Sequence, residues 1–415
     1  MNRHRCIPSL ESMQRQLPNW ADIKPLVQMK RPGFGAESRL ATAGSISDLR
    51  RIARRRTPRG PFDYVDGAAE REISLERSRT MYRDVEFVPS VLRDVSTTDT
   101  TTTLLGRPSS LPVAFAPTGF TRMMQHEGEP AVARAAEQAG LTYALSTMGT
   151  TTPEDVAAAA PNVNRWFQLY LMKDRGASAE LLERAAASGY SAAILTVDTP
   201  VGGRRLRDVR NGMTIPPALS LRTLADMAVH PSWWFNLLTT EPLTFASLNT
   251  FDGTVAELVT NIFDPTLNLS DIEWLRQHWT GPIVIKGIQT SEDAVRVAAH
   301  GADAVIVSNH GGRQLDQSPT PFEQLPAVTE AVGDRCEVYI DGGIMSGGDV
   351  VAAVAQGARA VFVGRAYLYG LMAGGEVGVT KAIDIFREGI VKTMQLLGVS
   401  SVKELDRGHI RLRRT

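Results

Sequence analysis

From about residue 111 the chain repeats one alternation. A short apolar run ends in polar or glycine residues, and a segment with apolar positions three and four apart follows. Eight runs keep this rhythm: LPVAFAPTG (111–119), TYALST (142–147), RWFQLY (165–170), AAILTVDTP (192–200), PIVIKGI (282–288), DAVIVSN (303–309), EVYIDGG (337–343) and AVFVGR (360–365). Near-continuous apolar runs suit parallel strands buried on both faces. Between them lie helical patterns such as EPAVARAAEQAG (129–140), SAELLERAAASG (178–189), SEDAVRVAAHG (291–301) and GDVVAAVAQG (348–357). Several stop at a glycine, a common residue just past a helix end. Eight equivalent units predict an α/β chain closed into a (β/α)8 TIM barrel. The alternative, a doubly wound open sheet, usually has fewer strands and does not need eight such units.

Two segments break the rhythm. The connection from Val201 to Gly281 far exceeds an ordinary βα loop, which points to a functional insertion after strand 4, at about 212–270. It carries Trp233, Trp234, Phe235, Leu237 and Leu238, with few charges from Ile215 to Phe263. It reads as a lid or packing insertion, or as a patch lying in a bilayer interface, where Trp prefers to sit. Residues 1–110 are helical around 46–56 and extended around 86–105. They are expected to be an N-terminal extension covering the barrel at 111–415, not an independent domain.

Composition narrows the function classes. Lys plus Arg, at 45, equals Asp plus Glu, at 45, so nothing global argues for nucleic acid. The balance is local: residues 1–60 hold thirteen Lys/Arg against four Asp/Glu, including Arg50, Arg51, Arg54, Arg55 and Arg56. That is a solvated helix face, or a surface attracted to anionic lipid. Cys6 and Cys336 lack metal-site or redox spacing. The N-terminal residues show no apolar run of signal-peptide length, and no stretch of 18 apolar residues occurs. A cytoplasmic chain is expected, with peripheral contact to the inner face of the cell membrane as the option these features add.

The chemistry gathers at the strand ends, where barrels place their functional groups. These ends offer Thr118, Ser146, Gln168 with Tyr170, Thr196 with Asp198, Lys286, Ser308 with His310, Asp341 and Arg365. A single polar end is often a turn or a cap; polar groups at all eight are hard to explain by structure alone. In SNHGGRQLD (308–316), His310 is a general-base candidate, since an imidazole is the usual side chain for that task, and Arg313 can bind a carboxylate through two donors. Asp198 before Thr-Pro could be only a turn former; barrel geometry, not spacing, makes it a partner for His310. Asp341-Gly342-Gly343 and Gly364-Arg365 end strands seven and eight, where barrels often bind phosphate. No GxGxxG follows an early strand and no Walker loop occurs, so a phosphate-bearing cofactor points to FMN before NAD.

The sequence resembles the FMN-dependent 2-hydroxy acid oxidases and dehydrogenases from about Asp48 to Ile410. The matching pieces are FDYVDGAAE (62–70), APTG (116–119), FQLY (167–170), TVDTP (196–200), KGI (286–288), SNHGGRQLD (308–316), DGGI (341–344) and GR (364–365). RLRDVRNGM (205–213) is most similar to the bacterial quinone-linked L-lactate dehydrogenases of that family. The resemblance implies that Pro117, Thr118, Gly119, Ser146, Gln168 and Thr196 contact FMN and that Lys286 sits near the N1–O2 edge of its ring. It implies that Ser308, Asp341, Gly342, Gly343, Gly364 and Arg365 hold the ribityl chain and phosphate. Tyr64 and Arg313, helped by Arg205, would grip the substrate carboxylate, and Tyr170 would bond its hydroxyl. His310 would remove a proton, with Asp198 stabilising the protonated ring. The implied partners are a small L-2-hydroxy acid and an electron acceptor, quinone or O2, with a homo-oligomer, a tetramer or higher, as the expected assembly.

Two positions depart from the pattern. Met345 stands where Arg commonly follows DGGI or DGGV, which predicts weaker FMN retention or compensation by Arg365. Met148 stands where glycolate oxidases carry Trp, which leaves space for a substrate methyl group and favours lactate over glycolate. Rival readings are a soluble oxidase using oxygen, a non-catalytic FMN-binding protein and another FMN barrel such as an isomerase. The set Tyr64, Tyr170, Asp198, His310 and Arg313 argues against the non-catalytic reading, and an isomerase gives no reason for two arginines beside a His base. Gly119 leaves room beside the expected flavin face, but room alone does not select oxygen.

Overall fold

The structure is a computed structural model that describes residues 17, 19–25, 35–212, 221–244, 246 and 262–413. Its strands are β1 (Val85–Phe87), β2 (Thr102–Leu104), β3 (Arg107–Ser109), β4 (Val113–Phe115), β5 (Thr142–Ser146), β6 (Asn164–Leu169), β7 (Ala192–Thr196), β8 (Ile283–Ile288), β9 (Ala304–Val307), β10 (Glu337–Asp341), β11 (Ala360–Val363) and β12 (Ile410–Leu412). Strands β4 to β11 pair in parallel around a closed barrel, and β11 returns to β4 with Val361 opposite Val113. The eight expected strands are the eight barrel strands, and the fold is a (β/α)8 TIM barrel.

Alternate residues along these strands enter two different cores. Trp166, Ile194, Val284, Ile306, Tyr339 and Phe362 belong to one cluster. Their neighbours Phe167, Leu195, Ile285, Val305, Ile340 and Val361 belong to the other, together with the buried faces of the helices. The first cluster is the barrel interior: Trp166 on β6 lies 5.7 Å from the ring of Tyr339 on β10 and 5.6 Å from that of Phe362 on β11, and these strands are not neighbours of β6. The two-residue side-chain period of a strand thus explains why the runs are apolar throughout.

The apolar runs continue past the ladders. The first stops pairing at Phe115, not Gly119, and the fourth at Thr196, so Asp198 lies two residues beyond its strand. Pro117 and Pro200 have no N–H to give a ladder, and Gly342 and Gly343 take positive φ. The polar ends are therefore loops above the barrel. Helices that follow start on short side-chain caps: Thr152, Thr290, Thr320 and Ser346 each accept the backbone N–H three residues on.

The segment before the barrel is tied to both of its ends. The β2–β3 hairpin puts Leu104 into the interior cluster, and the Leu105 N–H donates to Glu337 Oε2 at 3.1 Å at the start of β10. Of the extended stretch expected near 86–105, only β1 and β2 are strands, and β1 pairs antiparallel with β12. The helix Ile46–Arg56 packs on the long helix Arg365–Leu397. Asp66, 2% exposed, joins these pieces. It accepts from Arg50 at 2.5 and 2.8 Å, from Arg207 at 2.9 Å and from the Tyr369 hydroxyl at 2.7 Å.

The insertion after β7 contains the helices Leu206–Arg210, Leu221–Ala228, Pro231–Thr239 and Ser270–His278. Residues 213–220, 245 and 247–261 of it, and residues 1–16 of the basic N-terminal segment with Cys6, lie outside the described residues. Trp233 Nε1 donates to the Met123 carbonyl at 3.0 Å, and Asp226 accepts from the Arg59 N–H at 2.6 Å, so two of these helices dock on the cover and on the short helix Thr121–Met124 after β4. No described helix is long and apolar enough to cross a membrane.

Burial works against the Asp66 charge, yet Arg50, Tyr369 and Arg207 outweigh it and hold its carboxyl well below the ordinary carboxylate range. Its stabilising contribution is therefore fully present above the ordinary carboxylate range and lost progressively as pH falls from there toward the lower native value. Asp66→Asn is expected to lower the unfolding free energy at pH 7 by about 3 kcal/mol, because Arg50 and Arg207 lose their shared anion. Denaturant midpoints should show this at pH 7, with a flatter dependence between about pH 5 and 3 than the parent chain.

Candidate active site

Above the C-terminal ends of the strands one cavity is lined by Tyr64 and Arg79 from the cover, by the loops after the barrel strands and by Phe263 from the insertion. Of the residues expected at the site, seventeen form its wall: Tyr64, Pro117, Thr118, Gly119, Ser146, Gln168, Tyr170, Thr196, Arg205, Lys286, His310, Arg313, Asp341, Gly342, Gly343, Gly364 and Arg365. Asp198 and Ser308 stand behind it. Asp198 Oδ1 lies 3.0 Å from His310 Nδ1. Ser308 is fully buried, and its Oγ accepts from Lys286 Nζ and from the His310 N–H, each at 3.0 Å. Ser308 thus holds two wall residues in place.

Backbone geometry seats the His310–Asp198 pair. His310, Gly311 and Gly312 all have positive φ, at 57°, 63° and 74°. A histidine in this region carries strain that its surroundings must hold. They do so through Ser308 under the His310 N–H, Asn309 Oδ1 accepting from Gly312 N at 3.1 Å, and Arg365 Nη1 donating to the Gly311 carbonyl at 2.9 Å. Opposite, β8 is irregular between Lys286 and Ile288, and Gly287 has φ 110°. A Cβ on Gly287 would lie 2.7 Å from Asp198 Cβ, so glycine is what lets the carboxylate approach.

Burial opposes the Asp198 charge, but His310 and then Lys286 outweigh it and hold the carboxyl below its ordinary range. An ionised Asp198 favours the proton on His310 Nδ1, leaving Nε2 as the basic nitrogen. Lys286 is buried too. Burial disfavours its charge, yet Asp341 and Asp198 raise its pKa, and Nζ sits 2.9 Å from Asp341 Oδ2.

A second cluster is cationic. The guanidiniums of Arg313 and Arg205 lie 4.8 and 5.5 Å from the Tyr64 ring centroid. Arg313 Nη1 donates to the Tyr64 and Gly67 carbonyls at 2.5 and 3.2 Å. Burial first, and then Arg205, push the Arg313 pKa down to about 10. Two guanidiniums held this close on one wall attract an anion, and a carboxylate matches their donor geometry.

At the ends of β10 and β11, Arg365 donates from Nε, Nη1 and Nη2 to the carbonyls of Val65, Gly311 and Gly67 at 2.8, 2.9 and 2.7 Å. Its fork is committed to protein oxygens, which leaves one hydrogen on each terminal nitrogen for a ligand. Compensation for Met345 by Arg365 is limited to those hydrogens. Met345 itself is half-buried on the cavity wall. Sequence reasoning overlooked Arg79, Phe263, Thr199 and Gln314 on this wall. Phe263 packs edge-on against Tyr170, with ring centroids 5.5 Å apart. Thr199 and Gln314 lie within the strand-end motifs TVDTP and SNHGGRQLD, which was the signal that could have found them; Arg79 and Phe263 carry no local signal, since a cover helix and the insertion bring them over the barrel.

A profile of the FMN-dependent dehydrogenases matches residues 53–412. The chain belongs to this family. It is 53% identical over 400 residues, 96% of this chain and 97% of the relative, to a protein of Mycobacterium tuberculosis named putative L-lactate dehydrogenase. It is 43% identical over 369 residues to an L-lactate dehydrogenase of Caulobacter vibrioides, covering 87% of this chain and 96% of that one. Among solved structures, the monotopic membrane protein (S)-mandelate dehydrogenase superposes with a TM-score of 0.86 at 33% identity, over 89% of this chain and all of that one. A mandelate oxidase gives 0.79 at 38%, over 90% and 100%.

The cavity fits the family's cofactor. Gln168 Nε2 and Asp341 Oδ1 are buried on residues of its wall and lack a hydrogen-bond partner within the described protein. A buried donor and a buried acceptor left open are costly unless a ligand pairs them, and FMN offers carbonyls to the first and ribityl hydroxyls to the second. FMN is therefore expected to raise the thermal unfolding midpoint of the apoprotein. Gln168→Leu, which keeps the bulk and loses the donor, should weaken FMN about tenfold and shrink that shift. An FMN titration followed by flavin fluorescence checks both.

Proposed function

We propose that the protein oxidises L-lactate, or a similar small L-2-hydroxy acid, to the 2-oxo acid and passes the electrons to quinone. The observation that carries this reading is the pairing of the His310–Asp198 couple with the Arg205–Arg313 cluster on one cavity wall. A base beside a carboxylate grip suits a substrate that carries an ionised acid next to the carbon it must deprotonate or dehydrogenate.

In this reading Arg313, Arg205 and Tyr64 hold the substrate carboxylate, and Tyr170 bonds the hydroxyl. His310 Nε2 takes the proton, and Asp198, behind the ring, stabilises the cation that results. Pro117, Thr118, Gly119, Ser146, Gln168 and Thr196 line the flavin ring, and Lys286 provides a cation beside it. Asp341, Gly342, Gly343, Gly364 and Arg365 hold the ribityl and phosphate end, with Ser308 supporting from behind. FMN, when bound, supplies the two-electron acceptor. The described residues before 111 act as the cover that completes the site, and Phe263 brings the insertion onto its wall. Met148 and Phe263 line the cavity, and the relatives named L-lactate dehydrogenase support a substrate with a short alkyl group.

A quinone acceptor places the protein at a membrane surface. The helix Pro231–Thr239 exposes Phe235 and Leu238, 58% and 72% accessible. The arginine-rich helix Ile46–Arg56 adjoins it, with Arg56 Nη2 donating to Ser232 Oγ at 3.2 Å and Arg54 and Arg55 exposed. Apolar side chains flanked by arginines suit peripheral attachment to anionic lipid. The monotopic mandelate dehydrogenase supports the same arrangement.

L-lactate, added without oxygen, should bleach the flavin absorbance of the FMN-loaded enzyme, and D-lactate should not. Retained colour with every small hydroxy acid would remove lactate and point to larger acids. Asp198→Asn should keep its flavin spectrum while turnover falls by about a thousandfold or more. Phe235→Ser with Leu238→Ser should release the protein from anionic vesicles in a sedimentation assay; undiminished pelleting would exclude this helix as the anchor. Rapid hydrogen peroxide formation in air by the reduced enzyme would replace quinone with oxygen as the acceptor.

A further inference from the structure

Arg79 lies on the helix Ile73–Arg83, whose inward face is Ser74, Leu75, Ser78 and Tyr82. It reaches the same cavity wall as Gly342, Gly343, Met345 and Arg365. The turn that carries it is locked against the end of β10: a Cβ on Gly343 would lie 2.3 Å from the Ser78 carbonyl oxygen. Arg79 Nη2 is buried and has no hydrogen-bond partner within the described protein. The charge of Arg79 also acts against that of Arg365, whose pKa is lowered first by burial and then in part by this neighbour. Two guanidiniums thus face one end of the cavity, one of them with an open buried donor. The adjoining helix Arg365–Leu397 begins at Gly364 with no side-chain cap, so its first N–H groups add positive potential. Like charges gathered with open donors suit an anion of high charge and several acceptor oxygens.

We propose that Arg79 is a ligand of the FMN phosphate, a cation supplied by the cover where the barrel loop carries Met345. The assignment rests on FMN occupying this cavity. It also explains how the chain can do without an arginine at position 345.

The test titrates apoprotein with FMN and with riboflavin, which lacks the phosphate, and follows flavin fluorescence. Arg79→Gln should weaken FMN about ten- to a hundredfold, the size of a charge-assisted hydrogen bond, and leave riboflavin unchanged. Adding Met345→Arg to that variant should recover FMN affinity. Arg79→Lys, the milder change, should weaken FMN by a smaller factor, again without effect on riboflavin. Unchanged FMN affinity in Arg79→Gln would overturn the assignment, as would equal weakening of both flavins in either variant, which would mark a structural role. A parent protein that binds neither flavin would instead remove the cofactor reading itself.

Discussion

A buried ammonium governs the mouth of this barrel. Lys286 leaves water almost completely, and an ion there must be matched by its neighbours. Asp341 supplies the counter-charge at 2.9 Å, and Ser308 accepts a hydrogen bond at 3.0 Å. Ser308 also holds the His310 N–H, and Lys286 helps to keep Asp198 ionised. One cation on β8 therefore couples Asp198 and Ser308, which follow β7 and β9, with Asp341 at the end of β10. The base, its carboxylate and the open acceptor on Asp341 are set by a single network.

The opposite problem arises on the side that meets the cover. Arg205 and Arg313 crowd the Tyr64 ring, and Arg79 approaches Arg365. Nearby carboxylates such as Asp66 are already engaged by Arg50, Arg207 and Tyr369. Backbone carbonyls of Tyr64, Val65, Gly67 and Gly311, and the Asp208 carboxylate 3.8 Å from Arg205 Nε, take up part of the positive charge. What they do not take up is available to anionic ligands, so the junction of cover and barrel is poised to bind them.

The order of the fold was readable because two short-range rules recur along it. Strand residues alternate between two apolar cores, and several of the helices start on hydroxyl caps or stop at glycine. Those rules also place polar residues at the strand ends, which is why most of the cavity wall could be named from sequence. They do not tell where a ladder ends, so Asp198 and Gly119 belonged to strands in the pattern and to loops in the fold. Nor do they tell which polar group faces the cavity. Ser308 looks like a wall residue in sequence and proves to be a buried support.

The sequence by itself determined the eight-unit barrel, the family and the cluster of chemistry at the strand ends, because each depends on residue type and near-neighbour spacing. Only the tertiary structure decided that His310 meets Asp198 across 112 positions, that Lys286 finds Asp341, and that Arg79 and Phe263 reach the cavity. Those contacts depend on barrel closure and on how the cover and insertion settle over it. A side chain's partner there is fixed by packing between distant segments, which leaves no periodic trace along the chain.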